Sequence, residues 1–298
     1  MGIKDIKSEG SFLNIYNEDG VKTGCIPNSG DKSYKILSDS IFLEKDSFNA
    51  TYDEKGQLIK CEPSVICASG VIEEEKQRYT EAFNAQLGSI CHFFRYKQLK
   101  PFVGKNYNIG HKKILVIGES HYLPPKTNHE VIKNWYDRSY KDLTKDEFNW
   151  TNTSCIMNNT DFREHPMYRE INKSLIRAGL PDGILSVAYM NFFQRPSGRT
   201  KKSIQENEKD IEVANSVLKQ TFVILQPDFI FFVSSKSYKH FNKSLFDPER
   251  TAHTSHPECP WWNKPSSSYT RPKGWTEPRI TGKASFELFI KRNILGLN

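Results

Sequence analysis

The chain has 298 residues, of which 37% are hydrophobic and 12% aromatic, and it carries a formal net charge of +7. That length suits one large domain or two smaller ones, and the concentrated apolar runs exclude a globally disordered chain. No run reaches the length of a membrane span, and the first ten residues lack the apolar core of an export signal, so a cytoplasmic protein that does not enter membranes is expected. The positive surplus permits a phosphate backbone as partner without requiring one. The six cysteines, Cys25, Cys61, Cys67, Cys91, Cys155 and Cys259, contain no Cys-x-x-Cys pair, so free thiols and no metal or other cofactor are expected.

In chain order, residues 1–70 alternate short apolar runs, such as Phe12–Tyr16 and Ile41–Leu43, with turn signals at Glu18–Gly20, Asn28–Asp31 and Asp53–Gly56. This pattern predicts hairpins and a small β-rich N-terminal module. Residues 71–110 read as a helical connector, because Ile72, Tyr79, Phe83 and Leu87 would line one helix face behind the acidic run Glu73–Glu75. From residue 111 to 298 three apolar, β-rich runs appear: Lys113–Ile117, Ile184–Met190 and Phe229–Val233. Helices are expected over 166–179, stopped by Gly179 and Pro181, over 203–225, and over 283–293.

Each of three polar motifs sits at or beyond one of these runs. They are Gly118-Glu119-Ser120-His121-Tyr122, Asn191-Phe192-Phe193-Gln194-Arg195-Pro196 and Thr254-Ser255-His256-Pro257. Apolar runs bounded by turn residues suit buried strands of a parallel sheet, and ligands of open α/β sheets bind outside the strands' carboxyl ends. Three polar clusters at such ends would face one cleft.

The order, spacing and strand context of these motifs resemble the uracil-DNA glycosylase superfamily over roughly residues 110–290. Gly118–Tyr122 is similar to the family's first motif, Asn191 to its base-reading asparagine, Gln226–Val233 to its third strand, and His256-Pro257 to its late histidine motif. The resemblance implies a three-layer α/β/α sandwich around a mostly parallel four-stranded sheet. It also implies a monofunctional glycosylase that flips a uracil or a modified pyrimidine from DNA, leaves an abasic site, and works as a monomer without metal. Two positions depart from the family pattern: Ser120 stands where many members have Asp or Ala, and His121 where many have Pro. These departures and the long 123–162 insertion point toward a non-standard base, such as a 5-substituted or glucosylated cytosine. The role would then be antiviral rather than repair.

Cleaving an N-glycosidic bond needs a donor for the departing base anion, a negative group near the cationic sugar, and a placed water. The resemblance assigns the donor to His256. Glu119, the first motif's carboxylate, is the first choice for the sugar or water role, with Ser120 and His121 beside it. Asn191 would read the base edge, since an amide supplies both a donor and an acceptor. Tyr122 would pack at pyrimidine C5, and Phe148, Trp150 or Phe192 would stack on the flipped base. Trp261 or Trp262 would wedge into the duplex. Lys264, Arg271, Lys273 and Arg279 would meet phosphates, with Arg195, Arg199, Lys201 and Lys202 as a second basic patch. Each residue also has a structural reading: a surface-loop histidine, a strand-end asparagine, core aromatics, solvated charges.

Two other readings fit the motifs. A Ser-Gly-Asn-His type hydrolase would use Ser120 as nucleophile and His256 as its base, although the acidic partner expected before the late histidine is absent, His253 standing there. A non-catalytic module that binds modified DNA would use the same fold without the chemistry.

Overall fold

The computed structural model describes residues 3–9, 12–27, 31–36, 40–45, 48–63, 78–125, 127, 130–158, 165–198, 202–266 and 280–297. The chain divides into two units. One comprises residues 1–76, 81–97 and 216–226, and the other residues 77–80, 98–215 and 227–298.

The first unit is built from two antiparallel meanders. Strands β1 (Ile3–Glu9), β2 (Phe12–Asn17) and β3 (Lys22–Pro27) form one sheet. Strands β4 (Asp31–Ile36), β5 (Ser40–Lys45), β6 (Phe48–Asp53) and β7 (Leu58–Pro63) form the other, in sequential order. Leu13 and Ile15, Ile41 and Leu43, and Ala50 and Tyr52 are buried at alternate positions, and on β2 the intervening Asn14 is buried as well. The turns at Glu18–Gly20 and Asp53–Gly56 stand where the sequence placed them; the one at Asn28–Asp31 falls largely outside the described residues. Gly56 takes φ +75°, a conformation that strains any residue with a side chain. The helical connector expected over 71–110 is only partly helical where it is described. Residues 64–77, including Ile72, lie outside the described residues. Beyond them, Tyr79 bridges Gly104, and the helical part is two short pieces, α1 (Asn84–Gly88) and α2 (Cys91–Arg95). The break is at Ile90, whose extended backbone (ψ 122°) cannot continue a helix.

The second unit is mixed α/β. Its sheet has five strands in the order β12-β11-β9-β10-β8: β8 (Phe102–Val103), β9 (Ile114–Gly118), β10 (Ala188–Asn191), β11 (Phe229–Phe232) and β12 (Thr251–His253). Four run parallel, and β8 adds an antiparallel edge that the sequence reading did not include. The sheet therefore begins before residue 111. Strand β10 also starts later than its apolar run suggests, because Gly183 (φ +56°) opens a 3-10 turn over Gly183–Ser186.

Ten helices are named along the described chain. After α1 and α2 come α3 (Glu130–Lys133), α4 (Lys145–Trp150), α5 (Thr153–Met157), α6 (Pro166–Arg177), α7 (Glu208–Leu225), α8 (Ser235–His240), α9 (Pro260–Asn263) and α10 (Gly282–Phe289). Ile114 and Val116 of β9 and Phe229 and Phe231 of β11 share one core with Ile171 and Leu175 of α6 and Phe286 and Phe289 of α10. On β11 the alternate residue Phe232 meets Tyr238 of α8 and Phe241. Helix α6 ends where expected, at Gly179 (φ +107°).

Candidate active site

The three motifs emerge at the carboxyl ends of neighbouring parallel strands. Gly118 closes β9 and pairs in register with Asn191, the last residue of β10. On the other side, Val233 N–H donates to Ile117 O, and Thr254 N–H donates to Phe232 O. Glu119 therefore leaves the central strand, with Asn191 on one flank and Ser234 and then His256 on the other. His256 follows a short strand of its own, β12. The interstrand spacing of just under 5 Å is what brings residues so distant in sequence together.

Asn191 is buried, and its Oδ1 accepts a hydrogen bond from the Tyr189 hydroxyl at 2.9 Å. The Tyr168 hydroxyl lies near both residues. Yet Nδ2 of Asn191 is buried and forms no hydrogen bond among the described residues. Burying an amide N–H2 without a partner is unfavourable by roughly 1–3 kcal/mol. The arrangement depends on Gly118: a Cβ there would overlap the Tyr189 hydroxyl and Asn191 Oδ1. Gln194 Nε2 donates to the Asn191 carbonyl at 2.7 Å and fixes the backbone at the strand end.

The Glu119 carboxylate accepts from Ser203 Oγ (2.5 Å) and Ile204 N–H (3.2 Å) on one oxygen and from Ser234 Oγ (3.1 Å) on the other. Three of its roughly four acceptor positions are occupied, so its orientation is fixed. The loop that clamps it is tied down in turn. Lys236 Nζ donates to Ile204 O and to Glu206 at 2.6 Å each, and Glu206 also meets His240 Nε2 at 3.0 Å.

His256 Nδ1 accepts from Glu258 N–H at 3.2 Å. A ring nitrogen that accepts carries no proton, so the neutral tautomer holds its proton on Nε2. Burial holds His256 below its ordinary value of 6.5, while the charges of Glu119 and Glu258 pull the other way. The same two carboxylates act on Tyr122, which burial first, then Glu119 and Glu258, push up to about 12. Glu119 and Glu258 thus each act electrostatically on both Tyr122 and His256.

Several expected assignments change. His121 is buried, contacts Thr153 Oγ1 at 3.0 Å, and is pushed down to about 3 by burial, surroundings that favour the neutral ring. Phe192 is wholly buried, edge-to-face with Phe193 and Phe232, and leaves no ring face to stack on a base. Trp262 is wholly buried against Phe286 and is not a wedge, whereas its neighbour Trp261 is 51% exposed. Arg195 is not a phosphate contact: its guanidinium is buried in a two-point ion pair with Asp210 (2.6 and 2.7 Å) and also donates to Gln205 O. Asp210 further accepts from Tyr136 and Asn207, which makes it the anchor of the segment after β10. Lys264 and Trp150 are exposed and Phe148 half-buried. Arg199, Lys201, Arg271, Lys273 and Arg279 lie outside the described residues.

Ser120 is half-buried, and no hydrogen bond joins it to His256 among the described residues. A nucleophile–base pair needs such a bond or its near equivalent. The sequence reading missed Tyr189 and Tyr168, the Ser203–Ser234 clamp, and the placement of Glu258. Of these, Ser234 carried a signal, as a polar residue just past an apolar run. Ser203 opened the helix expected over 203–225, but α7 begins only at Glu208 and leaves Ser203 in the segment before it.

Among the described residues no group of three or more metal-binding side chains occurs, and no helix is long and apolar enough to cross a membrane. Comparison with family models, with curated proteins and with solved structures gave no match.

Proposed function

We propose that this chain is a monofunctional DNA glycosylase, a divergent relative of the uracil-DNA glycosylase superfamily with its three-layer α/β/α core. In this reading it acts as a monomer on an extruded pyrimidine. The observation that carries the proposal is the buried, unpartnered Nδ2 of Asn191, set at a strand's carboxyl end beside a fixed carboxylate and a neutral histidine donor. The Tyr189 hydroxyl occupies Oδ1, so the amide offers its donor to a base acceptor, the O4 of a uracil-type ring or the N3 of a cytosine-type ring.

As the glycosidic bond lengthens, the base gathers negative charge. His256 Nε2–H is the donor for that charge, and a neutral imidazole suits the task because it does not surrender its proton to the ground state. The sugar becomes cationic at the same moment. Glu119, held by Ser203, Ile204 and Ser234, supplies a fixed opposing charge that needs no reorganisation. Water attacks the sugar carbon, the proton it loses is passed to solvent or a nearby carboxylate, and an abasic site remains. In this reading Trp261, which is exposed, fills the gap left by the base, and the exposed Lys264 meets the backbone.

The substrate class is a damaged or modified pyrimidine: uracil, or a cytosine with a 5-substituent or a glucosyl group, the latter implying defence against phage with modified DNA. The test is to incubate the protein with uracil-containing, unmodified and phage-modified DNA and then treat with alkali. Strand breaks are expected in at least one modified substrate and not in the unmodified one. Intact strands throughout would remove the glycosylase reading.

A further inference from the structure

The N-terminal unit contains a second chemically distinctive group of side chains. Cys25 lies in β3, Cys91 is the first residue of α2, and their sulfurs are 3.6 Å apart. That is contact distance for two sulfurs, and a disulfide needs about 2.0 Å. Closing the gap requires a movement of roughly 1.6 Å, within the reach of χ1 adjustment at two partly buried positions. Lys22 of the same strand and Arg95 of the same helix place positive charge at Cys25.

We propose that Cys25 and Cys91 form a redox-modification site that a hydroperoxide converts into an intramolecular disulfide joining β3 to α2. In the first step the Cys25 thiolate attacks one oxygen of the peroxide. An S–O bond forms, the O–O bond breaks, and the departing alkoxide or hydroxide takes a proton from solvent. In the second, the Cys91 sulfur attacks Cys25 Sγ. The S–S bond forms, the S–O bond breaks, and hydroxide leaves with the Cys91 proton as water. Two thiols lose two electrons and the peroxide gains them.

The two sulfurs are unequal in a way that matches these roles. The hydrogen bond from Cys91, with Arg95 and Lys22, brings Cys25 down to about 6 against the opposing effect of burial. The same contact and deeper burial push Cys91 up. Cys25 is the attacking thiolate and Cys91 the proton-bearing resolving thiol. The contact brings together residues 66 apart in sequence, so the disulfide would close a long loop. Nothing in this inference depends on the glycosylase reading.

The test treats reduced full-length protein with hydrogen peroxide, blocks remaining thiols with N-ethylmaleimide, and maps peptides without reduction by mass spectrometry. A Cys25–Cys91 cross-linked peptide that disappears on reduction is expected. In Cys91→Ser, a sulfenic acid at Cys25 should be trapped by dimedone, and in Cys25→Ser no cross-link should form at Cys91. Preferential oxidation of the exposed Cys155, with Cys25 and Cys91 still alkylated, would overturn the proposal. So would a disulfide from either residue to a different cysteine. The wild-type map decides the question even if one variant folds poorly.

Discussion

The Tyr189 hydroxyl donates to Asn191 Oδ1 at 2.9 Å from two residues earlier on the same strand. Residues two apart on a strand face the same side, so β10 itself supplies both the amide and the group that orients it. In the proposed reaction this orientation decides which end of the amide a base would meet.

Replacing Tyr189 by Phe removes that constraint while keeping the ring. The amide then turns freely, and kcat/KM on the cleaved substrate is expected to fall by about tenfold, in keeping with one lost hydrogen bond. Asn191→Ala is expected to abolish cleavage, and it also leaves the Tyr189 hydroxyl buried without its acceptor, a loss of roughly 1–3 kcal/mol. Relative kcat/KM, together with denaturant unfolding, separates the two effects.

Gly118→Ala strikes the same pair from the facing strand. Its Cβ would overlap both polar atoms, and neither can retreat easily within a buried strand end. We expect a folded but inactive protein, or one destabilised by about 1–3 kcal/mol as overpacked cores are. Unchanged activity with unchanged melting would show that the glycine is not needed for close approach.

The pH dependence has two origins. Burial lowers His256, so the neutral donor persists below its ordinary 6.5, and kcat/KM is expected to stay level through neutrality and fall on the acid side. His121 acts on stability instead. Its folded-state value, about 3, lies below the 6.5 of the unfolded chain, so the folded form binds fewer protons. The stabilisation is complete above 6.5 and is lost as the pH falls toward 3, by roughly 1.4 kcal/mol per unit. Thermal melts from about pH 7 to about pH 4 should show a shallower decline for His121→Gln than for the wild type.

Two neighbouring tryptophans should respond in opposite ways. Trp262→Ala empties a buried site against Phe286 and is expected to destabilise by about 3–5 kcal/mol. Trp261→Ala removes a half-exposed side chain, so stability should hold while duplex binding or base extrusion weakens. Arg195→Ala belongs with Trp262. It strands Asp210 as a buried charge, with an expected loss of about 3–5 kcal/mol by chemical unfolding.

The strands β9 and β11 and the polar motifs that end β9 and β10 were legible in the sequence, because β-rich apolar runs punctuated by Gly, Asn, Ser and His carry a local signal, whereas β12, the short strand that leads to His256, was not. The turn at Gly56 and the stop at Gly179 were equally readable from residue type. What stayed hidden was long-range. The two-residue edge strand β8 is too short to show a period. Arg195 reads as a free cation until Asp210, from a different element, is placed against it. Phe192 and Trp262 have the composition of binding aromatics, and their burial alone marks them as core. Glu119, Asn191 and His256, which the sequence singled out, stand at or just past strand ends, where local pattern and tertiary position coincide.

The most direct test of the central claim is mass-spectrometric detection of the free base released from modified DNA by wild-type protein and by Asn191→Ala and His256→Ala. A free pyrimidine from the wild type, lost in both variants while their melting curves show them folded, is the expected result. Release that continues undiminished in both variants would place the chemistry elsewhere and contradict the account.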